Sequence, residues 1–281
     1  MRRERQRLWT ILGGAALLLG ILSGRAVQPA KAAEHGLRGT IMLAGSSSME
    51  KLAHAMTESF MIRYPGVTAA VEFTGSTAGV EAVTEGVVDI GISSRALKDS
   101  EKEEGAVENI VAIDGIAIVT DADSLVDNLS VEELRGVYRG EIRNWKELGG
   151  EDQPVVVVGR EAASGTRSAF EEILELQDQC SYAAELDSTG AVMAKVASTP
   201  GAIGYVSMDV CNPSVKMLKL DGIEPSGETI LDGRYTLCRP FVMATKGAVG
   251  VQDEIVQEFF RFIRSEEGQE VISFVGLTPA E

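Results

Sequence analysis

Three times in this 281-residue chain an apolar, strand-like run breaks off into a short loop of Gly, Ser and Thr and gives way to helical periodicity. The loops are Ala44-Gly45-Ser46-Ser47-Ser48-Met49, Thr74-Gly75-Ser76-Thr77-Ala78-Gly79 and Ser164-Gly165-Thr166. A strand that feeds a helix must pack that helix back on a sheet, so the repeated unit restricts the chain to α/β architecture. The third loop says most. It follows Val155 to Val158, Gly159 and Arg160, and it precedes Phe170, Ile173 and Leu174 at helical spacing. A helix N-terminus has unpaired N–H groups and the positive end of the macrodipole, which together favour an anion. Ser164 and Thr166 add hydroxyl donors, and Arg160 adds a planar fork suited to a tetrahedral oxyanion. Taken alone, the segment fits equally well an ordinary Ser-capped helix beside a surface Arg.

The rest of the chain tips that balance. Strands are expected at Arg38 to Ala44, Val67 to Phe73, Val87 to Ile92, Ile110 to Thr120, Val155 to Val158, Ile203 to Val206 and Phe241 to Thr245. Helices are expected at Met49 to Tyr64, Ala78 to Glu85, Thr166 to Leu176 and Ala191 to Ala197, with another opened by the capping-box spacing Ser130-Val-Glu-Glu133. Val251, Ile255, Phe259 and Ile263 mark the last long helix. In open α/β sheets ligands sit beyond the carboxyl ends of strands, where small residues let backbone N–H groups approach them. Three such loops in one chain make an anion site the stronger reading. A fourth segment, Asp89-Ile-Gly-Ile-Ser93-Ser94-Arg95, ends a strand with two hydroxyls and a second Arg.

Residues 1–32 read as a signal peptide: Arg2, Arg3, Arg5 and Arg7, an apolar stretch from Leu8 to Leu22, then Ala30-Lys31-Ala32 as an A-x-A cleavage pattern. The apolar stretch is shorter than the ~20 residues of a membrane span. The mature protein is therefore expected outside the cytoplasm, in the periplasm or on the outer face of the membrane. Six of the 26 basic residues and one of the 42 acidic ones lie in residues 1–33, so the remainder carries 20 against 41, a net charge near −21. That balance argues against nucleic acid and anionic membranes as partners, and it leaves any bound anion to be held by local dipoles and hydrogen bonds. Cys180, Cys211 and Cys238 permit one disulfide at most and show no metal-ligand spacing.

The loops Gly45-Ser-Ser-Ser-Met49, Gly75-Ser-Thr-Ala-Gly79, Asp89-Ile-Gly-Ile-Ser-Ser-Arg95, Arg160-Glu-Ala-Ala-Ser-Gly-Thr166 and Pro200-Gly-Ala-Ile-Gly-Tyr-Val206 occur together and in this order. With Leu129 to Trp145, they make the chain resemble the substrate-binding proteins of phosphate ABC transporters, in the form common in Gram-positive bacteria. The resemblance implies an α/β, two-lobed periplasmic-binding-protein fold of type II. Its lobes would be joined by two crossings, with residues 38–117 plus 240–281 in one lobe and 118–239 in the other. It implies inorganic phosphate in the cleft, held without metal or cofactor, and permease subunits of an importer as partners of a monomeric binding protein. By position it implies Ser47, Ser48, Ser76, Ser94, Arg95, Arg160, Ser164, Gly165 and Thr166 as ligand residues. Ser94 stands where some relatives carry an Asp that accepts the proton of hydrogen phosphate.

Two other functions compete. One is binding of a different oxyanion, such as sulfate, molybdate or tungstate. The other is a serine-dependent phosphatase. A serine nucleophile needs a base, usually His. Beyond residue 33 the chain offers only His35, near the cleavage site, and His54, inside the first helix. No catalytic residue is expected.

Overall fold

A computed structural model describes residues 36–280. The segment read as a signal peptide lies outside the described residues. Strands β1 (Gly39–Gly45), β2 (Val67–Glu72), β3 (Ile90–Ser93), β4 (Ile110–Asp121), β5 (Val156–Arg160), β6 (Ala184–Leu186), β7 (Ala202–Ser207) and β8 (Cys238–Lys246) form one continuous sheet, in the order β2-β1-β3-β8-β4-β7-β5-β6. Three short strands pair at its margins. The pairs among β2, β1 and β3 and among β7, β5 and β6 are parallel. The three central pairs, β3 with β8, β8 with β4 and β4 with β7, are antiparallel.

Strand β4 holds the two ends of the sheet together. Its first half pairs with β8, down to Gly115 opposite Cys238. Its second half pairs with β7, from Ile116 opposite Ser207 onward. The chain leaves the first lobe along β4 and comes back into β8, which gives the two crossings of this fold. Its apolar run is buried on both faces, as a central strand requires.

Each lobe has its own core. Ile41, Met56, Phe60, Phe241, Phe259 and Ile272 pack together on one side of the first lobe. Tyr138, Trp145, Phe170, Leu174 and Tyr205 do so in the second, where Phe170 stacks on Tyr205 at 4.2 Å. Trp145 and Tyr205 are thus core residues.

The helices α1 (Glu50–Arg63), α2 (Ser76–Glu85), α3 (Val131–Arg139), α4 (Gly165–Ile173), α5 (Thr189–Ala197), α6 (Glu254–Arg264) and α7 (Glu266–Phe274) cover the sheet. The capping box at Ser130 and Glu133 forms, with both reciprocal bonds present. Three helices begin earlier than their apolar periodicity suggests. A turn of 3-10 helix at Ser47–Met49 precedes α1, α2 starts at Ser76, and α5 starts at Thr189. The early turns consist of small polar residues, which carry no apolar signal yet supply the helix N-termini of the site. The periodicity also missed α7 and the short strand β6. None of the helices among the described residues is long and apolar enough to cross a membrane.

Candidate anion-binding site

Four helix N-termini converge where the lobes meet. Each follows a strand and opens on hydroxyl or glycine residues: Ser47–Met49 after β1, Ser76 at α2, Gly165 at α4 and Thr189 at α5. Gly45 lets the first turn happen. Its φ is +141°, and a Cβ there would meet the Ile92 carbonyl. Ser164 and Ser188 cap their helices by accepting from Arg167 N and Ala191 N.

The hydroxyls form a contiguous network across the cleft. Ser48 Oγ lies 2.6 Å from Thr166 Oγ1 and 2.8 Å from Thr189 Oγ1. Thr189 N donates to Ser47 Oγ at 3.3 Å. On the first-lobe side, Ser46 Oγ donates to Ser94 Oγ at 2.8 Å, and Ser94 N donates to Ser76 Oγ at 3.1 Å. Ser76 and Gly165 face each other so closely that a Cβ on Gly165 would stand 2.8 Å from Ser76 Cβ and 2.9 Å from Ser94 Oγ. The backbone is joined too, since Thr77 N donates to Ala163 O at 3.2 Å. Ser46, Ser47, Ser48, Ser76, Ser94, Ser164, Thr166 and Thr189 are all buried.

Arg160 supplies the charge. It is 2% exposed, and among the described residues no carboxylate lies within ion-pair distance of it. Its Nε and Nη2 donate to the carbonyls of Leu186 and Asp187, and its Nη1 donates to Thr189 Oγ1 at 3.1 Å. Burial pulls its pKa below the ordinary value, and the neighbouring Arg239 adds to that pull. A buried guanidinium without a counter-ion is costly, and a bound anion would relieve that cost.

Ser47, Ser48, Ser76, Ser94, Arg160, Ser164, Gly165 and Thr166 therefore lie together where the lobes meet. Arg95 is the exception. Its fork closes on Glu101, with Nη2 2.6 Å from Oε1 and Nη1 2.8 Å from Oε2, and reaches Thr77 Oγ1 only at 3.4 Å. Burial would raise the Glu101 pKa, but Arg95 and the Lys98 N–H outweigh it and hold the carboxyl below its usual range. The Arg95 charge is thereby neutralised beside the cluster instead of being offered to it. A carboxylate six residues further on was visible in the sequence, but its facing the Arg was not.

Sequence reading missed Ser46, Thr189 and Arg239. Ser188-Thr189-Gly190 repeats the hydroxyl-and-glycine pattern of the other loops, so Thr189 could have been found by that signal. Arg239 stands at the head of an apolar strand, next to Pro240. It pairs with Asp114, which interrupts the apolar run of β4, at 2.9 Å. A charge inside an apolar strand implies a buried partner, but which partner is a matter of tertiary structure. His54 is exposed on α1, its ring against the edge of Phe73. Cys180, Cys211 and Cys238 are half-buried and unbridged. Among the described residues no group of three His, Cys, Asp or Glu is placed to hold a metal ion.

Residues 30–267 match the PBP superfamily domain. The phosphate-binding protein PstS of Bacillus subtilis is 33% identical over 85% of this chain and 80% of its own length. A Clostridium perfringens crystal structure with bound phosphate, assigned to phosphate ABC transport as a substrate-binding protein, superposes with a TM-score of 0.83. It is 36% identical and covers 86% of this chain and 100% of its own. An ABC-type phosphate transport receptor from Vibrio cholerae gives a TM-score of 0.72 at 33% identity, over 86% of this chain and 100% of its own. With the doubly crossed fold and the clustered loops, these likenesses place the chain: it belongs to the phosphate-binding protein family of the PBP superfamily.

Proposed function

We propose that this protein captures inorganic phosphate between its lobes and delivers it to the permease of an ABC importer. The observation that carries the reading is Arg160, a buried cation with no carboxylate partner, set among hydroxyls and helix N-termini from both lobes. The proposed ligand groups are Ser47, Ser48, Ser76, Ser94, Arg160, Ser164, Gly165 and Thr166, to which the geometry adds Thr189. Each charge-assisted bond from Arg160 contributes about 1.5–3 kcal/mol, and the neutral donors contribute less. Such a set offsets the several kcal/mol needed to desolvate a dianion. Because donors come from both lobes, only the closed arrangement completes the shell, so phosphate favours closure and a permease can read it.

The serine hydroxyls act as donors, not nucleophiles. Ser48, Ser76 and Ser164 bond to other hydroxyls and to backbone N–H groups, and His54 lies on the outer face of α1. A monomer exported by its N-terminal segment fits this role. Calorimetric titration of the processed protein with phosphate and, separately, with sulfate is the test. We expect phosphate affinity in the micromolar range or tighter, which is ~8 kcal/mol or more. No phosphate heat near neutral pH would overturn the reading.

A further inference from the structure

A chain of buried polar groups runs from the Ser94 corner of the cluster to the point where the lobes join. Arg239 Nη1 donates to the Ser94 carbonyl at 3.0 Å. Its Nη2 and Nε donate to Asp114 Oδ2 at 2.9 and 3.2 Å. Ser207 Oγ reaches Asp114 Oδ1 at 2.7 Å. Asp114 stands on β4 just before the strand passes from β8 to β7, Arg239 is next to Cys238 at the head of β8, and Ser207 ends β7. Both crossings and the last strand of the second lobe thus meet in one network, and both charged side chains are essentially inaccessible to solvent.

The network fixes Ser94 on every side. Its N–H is held by Ser76 Oγ, its carbonyl by Arg239, and its Oγ accepts from Ser46. A hydroxyl has one hydrogen and two acceptor sites. With Ser46 donating to it, the Ser94 hydroxyl has its own hydrogen to give either to Ser76 Oγ, 3.4 Å away, or to a ligand. Asp114 cancels the Arg239 charge, so Arg239 acts through geometry more than through its field. Arg239 also accounts for part of the downward pull on Arg160.

We infer that Arg239, anchored by Asp114, is a positioning residue for the anion site, holding the Ser94 peptide so that its hydroxyl faces the ligand. The inference rests on the phosphate reading for its ligand, while the Ser94–Arg239 link stands apart from it. Asp114 is the carboxylate that Arg239 holds, and Asp209 shares the Ser207 hydroxyl with it. The pair also places the site's alignment under the control of the lobe junction, because a shift of β4 against β8 moves Asp114 relative to Arg239.

The test compares Arg239→Met and Arg239→Lys with the unaltered protein by phosphate calorimetry and by amide hydrogen exchange of residues 92–97. Arg239→Met should weaken phosphate binding about tenfold, a change of ~1.4 kcal/mol, and speed exchange in that segment while leaving α6 and α7 protected. Arg239→Lys keeps one donor and the charge, so it should recover part of the affinity. Unchanged affinity in Arg239→Met, or a loss that simply follows a rise in exchange over the whole chain, overturns the inference. Should Arg239→Met fail to fold, Asp114→Asn, which keeps size and releases the anchor, should loosen the same segment and weaken binding. No change at residues 92–97 in Asp114→Asn would equally overturn it. If the unaltered protein binds no phosphate, the ligand reading fails, and exchange at residues 92–97 still decides the positioning role.

Discussion

Ser48 Oγ lies 2.6 Å from Thr166 Oγ1, although the two residues are 118 positions apart and belong to different lobes. Each sits in the first turn of its helical segment. Small side chains at both N-termini allow the approach, and the converging backbone N–H groups give the cleft a positive lining inside an acidic protein.

That closeness makes Gly165 a gate on closure. A methyl group there would collide with Ser76, whereas Ala is at least as good as Gly for the helix itself. Gly165→Ala should therefore lower phosphate affinity about tenfold or more while leaving the thermal midpoint unchanged or raised. A variant that binds phosphate normally would show that the lobes have room to spare at this contact.

The two arginines should separate cleanly. Arg160→Ala removes a cation that has no carboxylate partner among the described residues and should cost at least about tenfold in phosphate affinity. Arg95→Ala breaks a pair with Glu101 and should leave affinity within about twofold. Equal losses in the two variants, measured by calorimetry, would return Arg95 to the ligand set.

Ser94→Asp places an acceptor where the network now holds a hydroxyl donor. Hydrogen phosphate can supply a proton to that carboxylate, and fully ionised sulfate cannot. The phosphate-to-sulfate affinity ratio should rise. An unchanged ratio would locate the discrimination elsewhere in the site.

The Asp114 carboxyl is pushed up to about 6 by burial, against the opposing pull of Arg239 and the Ser207 hydroxyl. Asp209 touches the same Ser207 hydroxyl and is raised as well, again by burial. The folded state therefore keeps a proton that an unfolded Asp releases near pH ~4. Unfolded chains bind fewer protons between about pH 4 and 6, so this carboxyl's contribution to stability falls as pH rises through that window and levels off above it. Denaturant unfolding of the unaltered protein and of Asp114→Asn across pH 4 to 7 isolates the effect. The stability difference should shrink in favour of Asn as pH rises. A difference that grows in favour of Asp would show that the ion pair outweighs burial.

Much of this was legible in the sequence, for local reasons. Apolar periodicity placed β4, α1 and α6, because burial of one face or of both is written in the order of apolar residues. Serine and glycine after strands marked the loops, because caps and close backbone approach demand those residue types. The loops' order carried the family resemblance, and with it the two-lobed fold. The fate of each arginine could not be read this way. Arg160 ends a strand and Arg95 stands just past one, yet one faces hydroxyls and the other faces Glu101. Arg239 finds Asp114 from 125 residues away. Thr189 joins Ser48 from 141 residues away. Charge neutralisation is settled by whichever groups the packed sheet brings within a few ångströms, so the sequence determined the parts of the anion site and the tertiary structure decided which cation was left for the anion.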